Sequence, residues 1–201
     1  MVQSVRLSFV ADDEKTGRIL DASLAVFCQY GFGKTTMQDI ARAAGMSRAA
    51  LYLHFNNKED LFRAGSERAH LQVMSEVDAA LAADGDVIDR IDAAMTAYLC
   101  GLMEEISASA HGAELFDAGL ALTGEISRNT QTWLVERLGE VLDSAATAGE
   151  IDLSGVEAAP AELAAMILAT ADGIKNTQGG GAALRTGGSL LMRVLRAALI
   201  R

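Results

Sequence analysis

The sequence predicts an all-α protein, and three observations carry that prediction. Alanine and leucine dominate a chain in which half the residues are hydrophobic and only one is proline; both residues favour helix, and a single proline leaves few forced breaks. Apolar residues recur at helical spacing in one segment after another, with no alternating run that reads as a strand. Glycines or capping residues separate most of those segments. At 201 residues the chain suffices for one large domain or two small ones, each with a buried core.

Each element has its own signal. Lys15 to Tyr30 sets Ile19, Leu20, Leu24, Phe27 and Cys28 at helical spacing, and Gly31-Phe32-Gly33 ends that helix. Thr35 or Thr36 caps a second helix, Met37 to Ala44, with Thr35 and Gln38 in a capping-box relation and Ile40 and Ala41 facing inward. Gly45 breaks it. Ser47 caps a third helix that runs to about His54 and buries Leu51 and Phe55. Asn57 caps a fourth, from Lys58-Glu59-Asp60 to about Ala83, and its early carboxylates suit the positive helix end. Further helices are expected over about 86–106, 111–118, 120–148, 160–178 and 184–200. Gly179-Gly180-Gly181 reads as a loop; lacking a following Lys-Ser or Lys-Thr, it is not a phosphate-binding loop. Residues 1–60 are expected to form one domain and 61–201 another.

Composition narrows the function classes. Cys28 and Cys100 each stand alone in apolar stretches, which excludes a disulfide framework and suits a reducing cytoplasm. His54, His70 and His111 show no ligand-like spacing, so neither a metal nor a cofactor is expected. Asp12-Asp13-Glu14 follows a short apolar stretch and makes the first residues a poor signal peptide, and no apolar run reaches the roughly 18 residues of a membrane span. The chain reads as soluble and cytoplasmic. Its net charge of −10 is unevenly placed: residues 1–65 carry eight basic and seven acidic side chains, net +1, and the remainder carries nine and twenty, net −11. A near-neutral head on an acidic body still permits DNA binding when the head's cations share a face.

The stretch from Thr36 to Leu61 carries the chemistry. Two short helices joined by a tight glycine turn, with the second preceded by a longer stabilising helix, make a helix-turn-helix. The second helix must be slim at its exposed start to enter a major groove about 12 Å wide. Ser47-Arg48-Ala49-Ala50 meets that demand: the alanines keep the helix narrow, and Arg48 offers two parallel donors to a guanine edge. Tyr52, His54 and Lys58 lie farther along, where they can reach phosphates, and Thr36 stands at a helix start whose amides point outward.

These residues resemble the tetracycline-repressor (TetR) family of bacterial regulators. The resemblance rests on Thr36, Ile40-Ala41, Ala44-Gly45-Met46-Ser47-Arg48, Leu51-Tyr52, His54-Phe55 and Lys58-Glu59-Asp60-Leu61, with Arg18-Ile19-Leu20, Phe27 and Gly31-Phe32 before them. It covers about the first third of the chain. Ala49-Ala50 stand where glycine-threonine is common in the family, which bears on base preference. The resemblance implies a three-helix DNA-binding head, a fourth helix as connector, and a larger helical body that dimerises through its last two long helices. It further implies double-stranded DNA with a palindromic operator as partner, and a small-molecule effector that shifts the connector and releases the DNA.

In the body, the last two helical segments hold more apolar surface than one helix pair needs to bury in its own domain. Leu168, Leu191, Val194, Leu195 and Ala198 are the expected dimer residues. Met74, Met95, Tyr98, Leu99, Met103, Phe116 and Trp133 are the candidates for lining an apolar or aromatic ligand site, with Arg137, His70 or Lys175 orienting the ligand. Taken singly, each is ordinary core for a helical bundle. Two other readings stand beside the repressor: a regulator whose body answers to a protein partner, and a helical-bundle carrier or enzyme. Against the last, the sequence offers no Glu-x-x-His pair and no nucleophile near a base, and Glu104-Glu105 point to different helix faces.

Overall fold

The computed structural model describes residues 14–101, 106, 109–175 and 180–200, and within them the chain is helical, without a strand. The described helices are α1 (Glu14–Tyr30), α2 (Met37–Ala43), α3 (Arg48–Tyr52), α4 (Lys58–Leu81), α5 (Val87–Gly101), α6 (Gly112–Thr147), α7 (Pro160–Lys175) and α8 (Gly180–Leu199). They sort into two compact units. Among the described residues, those up to Gly65 together with 109–122 form the first, and those within 66–107 and 123–201 form the second.

The first unit, the head, packs α1 against α2 and α2 against α3. Ile19, Leu20, Val26 and Phe27 of α1 are buried with Met37, Ile40 and Ala41 of α2, Leu51 of α3 and Leu61 of α4. Leu115, from the later segment, is buried as well. Phe27, Phe32 and Phe62 form a triangle with ring centroids 5.3–5.5 Å apart, two of the three pairs edge-on. Such pairs contribute roughly 0.5–1.5 kcal/mol beyond the area they bury.

The second unit, the body, has a core built from five helices. Val73, Val77 and Leu81 of α4 meet Ile88, Ile91 and Met95 of α5, Leu134, Leu138 and Leu142 of α6, Leu163 and Ile167 of α7, and Met192, Leu195 and Leu199 of α8. One end is tied by charge. Arg196 near the end of α8 pairs with Asp86 at 2.7 Å and with Asp89 at the start of α5, while Arg90 pairs with Glu150 at 3.1 Å. The Arg196 guanidinium, the largest influence on Asp86, holds that carboxyl down at about 2.

Two boundaries differ from the sequence reading. The expected break between 118 and 120 is absent, and α6 runs unbroken from Gly112 to Thr147 through Gly119. A single glycine costs a helix interior only about 1 kcal/mol, and the flanking Ala118, Leu120, Ala121 and Leu122 favour continuation. Of the expected loop at Gly179–Gly181, Gly179 lies outside the described residues, and α8 begins at Gly180.

Candidate nucleic-acid interface

The head's turn is built on backbone geometry. Gly45 follows α2 with φ of 67°, a left-handed conformation that glycine adopts without a side-chain penalty. It lets Met46 N reach back to Ala41 O at 2.9 Å, closing the helix end and turning the chain toward α3. α2 opens with a capping box, but on Thr36 and Asp39 rather than the expected Thr35 and Gln38. Thr35 is buried, and its hydroxyl turns back to donate to Gly31 O at 2.7 Å. Thr36 accepts from Asp39 N at 3.3 Å and donates to Asp39 Oδ2 at 2.5 Å. The Thr36 hydroxyl and amide hold the Asp39 carboxyl below its ordinary range. Ser47 caps α3, accepting from Ala50 N at 3.1 Å.

The structure places the predicted DNA residues as follows. Ser47, Arg48, Ala49 and Tyr52 are exposed, Ala50 and His54 are half-buried, and Leu51 between them is fully buried. The slim face of α3 is therefore open. Arg48 and Tyr52 are brought together: Arg48 Nη2 donates to the Tyr52 hydroxyl at 3.1 Å, and the guanidinium carbon lies 5.3 Å from the ring centroid. Leu53, absent from the sequence candidates, ends α3 with its side chain 86% exposed. Nothing in the local sequence marked it, since a leucine one position past a helix reads as core.

Lys58 departs from its expected role. Its ammonium donates to Phe32 O at 2.7 Å, Gly33 O at 3.1 Å and Thr35 O at 3.2 Å, and it sits 4.6 Å from the Phe32 ring centroid. An ammonium has three hydrogens, so all are taken by the turn between α1 and α2 and none remains for a phosphate. The Thr36 hydroxyl is likewise engaged by Asp39. Both residues build the scaffold that carries α3.

Comparison with known proteins adds to this geometry. Residues 19–64 match the model of the family "Bacterial regulatory proteins, tetR family". The chain is 47% identical to the HTH-type transcriptional regulator AcrR of Shigella flexneri over 49 residues, 24% of this chain and 23% of AcrR. It is 40% identical to the HTH-type transcriptional regulator TtgR of Pseudomonas putida over 57 residues, 28% of this chain and 27% of TtgR. The matched stretch thus spans about a quarter of either relative's length. In structure, the chain resembles SmeT, the repressor of the Stenotrophomonas maltophilia multidrug efflux pump SmeDEF, with a TM-score of 0.67 and 26% identity over 92% of this chain and 90% of SmeT. Over residues 19–64 the chain is thus similar to the tetR family of regulators, and across its length its fold is similar to that of a repressor.

In the body, the remaining candidates are placed as follows. Met95, Tyr98 and Leu99 lie in the packed core, Trp133 packs partly buried against it, and Met74 is half-buried. Phe116 is 38% exposed and belongs to the head. Met103 and the Lys175 side chain lie outside the described residues. Arg137 is paired with Asp78 at 2.7 Å and Glu140 at 3.0 Å. With Leu81, Arg90, Val141 and Glu150 it lines an open cleft of about 630 Å³. Gln131, Val135, Glu136 and Leu168 line a second, shallower cleft of about 410 Å³. Tyr98 brings a polar group to the core: its hydroxyl is raised above its ordinary pKa by burial and by Asp172, while Gln131 donates to Asp172 at 3.3 Å.

The dimer candidates also divide. Leu168 and Leu195 are 7% and 3% exposed and belong to the body's own core. Leu191 is half-buried, Ala198 is exposed and Val194 is 56% exposed, one turn from Leu190 at 53%. Helical pitch explains the division: positions 190, 194 and 198 share one face of α8, and 192, 195 and 199 share another.

Proposed function

We propose that this chain is a TetR-family regulator, a sequence-specific DNA-binding repressor that acts as a dimer and leaves a palindromic operator when a small, mostly apolar molecule binds its body. The observation that carries the reading is the open start of α3, where Ser47, Arg48, Ala49 and Tyr52 are exposed on a helix anchored from behind by buried Leu51. Arg48 reads a base edge in the major groove, Ser47, Ala49 and Ala50 allow the approach, and Tyr52 and His54 meet the phosphates. Likeness to SmeT, itself a repressor, supports the negative sign of regulation.

Two copies meet through α7 and α8, along the exposed face carrying Met166, Leu190, Val194 and Ala198. A dimer reads two half-sites a whole number of helical turns apart, so a modest change in head spacing misaligns both at once. An effector needs only a few kcal/mol of preference for one spacing to act as a switch. An apolar or aromatic effector with a hydrogen-bonding group would enter by opening the packed core around Met95, Leu99 and Trp133, where Tyr98, Gln131 and Asp172 supply a polar corner.

The test is fluorescence anisotropy of the purified protein on duplex DNA across a range of salt. Affinity for a selected site is expected to fall steeply with salt, and Arg48→Ala is expected to lose roughly 1–3 kcal/mol of discrimination at one base pair of each half-site. Binding with unchanged base preference in Arg48→Ala overturns the assignment of α3. For the effector, lipophilic aromatic compounds that raise the melting temperature are expected to release the DNA, and Tyr98→Ala to blunt both effects.

A further inference from the structure

We propose that Tyr52 is a positioning residue for base recognition: its hydroxyl holds the Arg48 guanidinium in the orientation that reads the base and joins that reading to a backbone phosphate. The inference rests on the DNA-reading role of α3 proposed above and extends it from a set of separate contacts to one coupled unit.

Arg48 and Tyr52 stand four positions apart on α3, so their side chains share a face. Arg48 Nη2 donates to Tyr52 Oη at 3.1 Å, and the guanidinium carbon lies 5.3 Å from the ring centroid, so the ring and the hydroxyl both engage the cation. Other arginines of the head pair with carboxylates, Arg42 with Asp39 at 3.7 Å and Arg63 with Asp60 at 3.6 Å. Arg48 is held by a neutral phenol instead, and the difference matters chemically. A carboxylate partner would compete with the acceptors on a guanine edge, whereas a phenol steers the guanidinium and leaves its charge uncompensated. One of five guanidinium hydrogens is used, and the parallel fork required by a guanine remains available.

The hydroxyl is placed to serve twice. Its oxygen accepts from Arg48, so its own hydrogen is left to donate, and a phosphate oxygen beside the groove is the acceptor that DNA supplies. A hydroxyl that accepts from a cation becomes a better donor. Arginine also loses side-chain freedom when it docks on a base, and restraint in the free protein lowers that cost. Ala49 and Ala50 contribute by being small: no neighbouring side chain on the first turn of α3 offers Arg48 another hydrogen-bond partner.

The proposal is tested on the full chain by selecting bound sequences from a random duplex pool with wild type, Arg48→Ala, Tyr52→Phe and the double variant. Tyr52 is exposed, so Tyr52→Phe is expected to keep the wild-type circular dichroism and melting temperature. Wild type is expected to select guanine at one position of each half-site. Tyr52→Phe keeps the ring and loses the hydroxyl, and is expected to weaken that preference about three- to tenfold while leaving the other positions unchanged. In the double variant, Tyr52→Phe is expected to take nothing further from base preference beyond Arg48→Ala. A merely structural tyrosine, or one that touches phosphate alone, would lower affinity evenly across all sequences. Full retention of the guanine preference in Tyr52→Phe overturns the coupling and leaves the regulator reading intact. A wild-type chain that selects no sequence, or an Arg48→Ala variant with unchanged preference, overturns the reading of α3 and the coupling with it.

Discussion

Lys58 shows how a residue's chemistry can be right and its assignment incomplete. An ammonium near the start of a helix suits a phosphate, yet three carbonyls of the α1–α2 turn take its hydrogens first. Removing it leaves those carbonyls without their donor. Lys58→Ala is expected to lower stability in urea by about 1.5–3 kcal/mol, in keeping with hydrogen bonds from a charged group. The salt dependence of DNA binding should keep its slope, because no phosphate contact is lost; a slope reduced by one charge would return Lys58 to the interface. His70 gives a second test at this scale. It is buried in the body, with Nδ1 2.8 Å from Ser66 O and Nε2 3.4 Å from Ser127 Oγ. Burial lowers its pKa below the ordinary 6.5, against a smaller opposing effect of the Ser66 carbonyl. Below 6.5 the unfolded chain takes up a proton that the folded chain resists, so stability falls as pH drops through that value and is indifferent to His70 above it. Comparing melting temperatures at pH 7.5 and 5.5, His70→Gln should lose less on acidification than wild type does.

The helices were anticipated from spacing and caps, but one element of the head was not. Glu114, at the start of α6, accepts from Gly33 N at 2.6 Å across a separation of 81 positions. The same carboxylate lies against Gly31, whose φ of 81° is left-handed and whose missing Cβ leaves it room; a Cβ there would collide with Glu114 Oε2. Arg63 Nε adds a bond to Leu122 O at 3.3 Å. The turn after α1 is therefore gripped from both sides, by Lys58 on its carbonyls and by Glu114 on an amide. Gly31→Ala is expected to destabilise the chain by about 1–3 kcal/mol through backbone strain and the collision. Glu114→Ala should cost less by itself. Adding Glu114→Ala to Gly31→Ala should restore the part due to collision and leave the strain. Strict additivity in denaturant melts would show that the two groups do not meet.

For the whole molecule, the apolar residues of α8 divide between a core and an outer face. Leu195 at 3% exposed belongs inside, while Leu190 and Val194 at 53% and 56% lie outside. Changing both outer residues to lysine should give a folded monomer in sedimentation, with unchanged helical content. Leu195→Lys should lower the melting temperature first, because it places an unpaired charge in the core. If the Leu190 and Val194 variant stays dimeric, the interface lies elsewhere. Among the described residues, no helix is long and apolar enough to cross a membrane.

Local pattern alone determined the all-α class, most helix limits, and the helix-turn-helix with Ser47 at its cap and Leu51 behind it. These features depend on residues within a few positions of one another, where spacing and capping act directly. Only the tertiary structure decided which of the aliphatic positions on α8 turn outward, that Phe116 leaves the body for the head, and that Glu114 closes on Gly31 and Gly33. Each of these depends on which distant surface a side chain meets. A helical repeat specifies a face, whereas the partner of that face is chosen by packing and by the burial of polar groups across the folded chain.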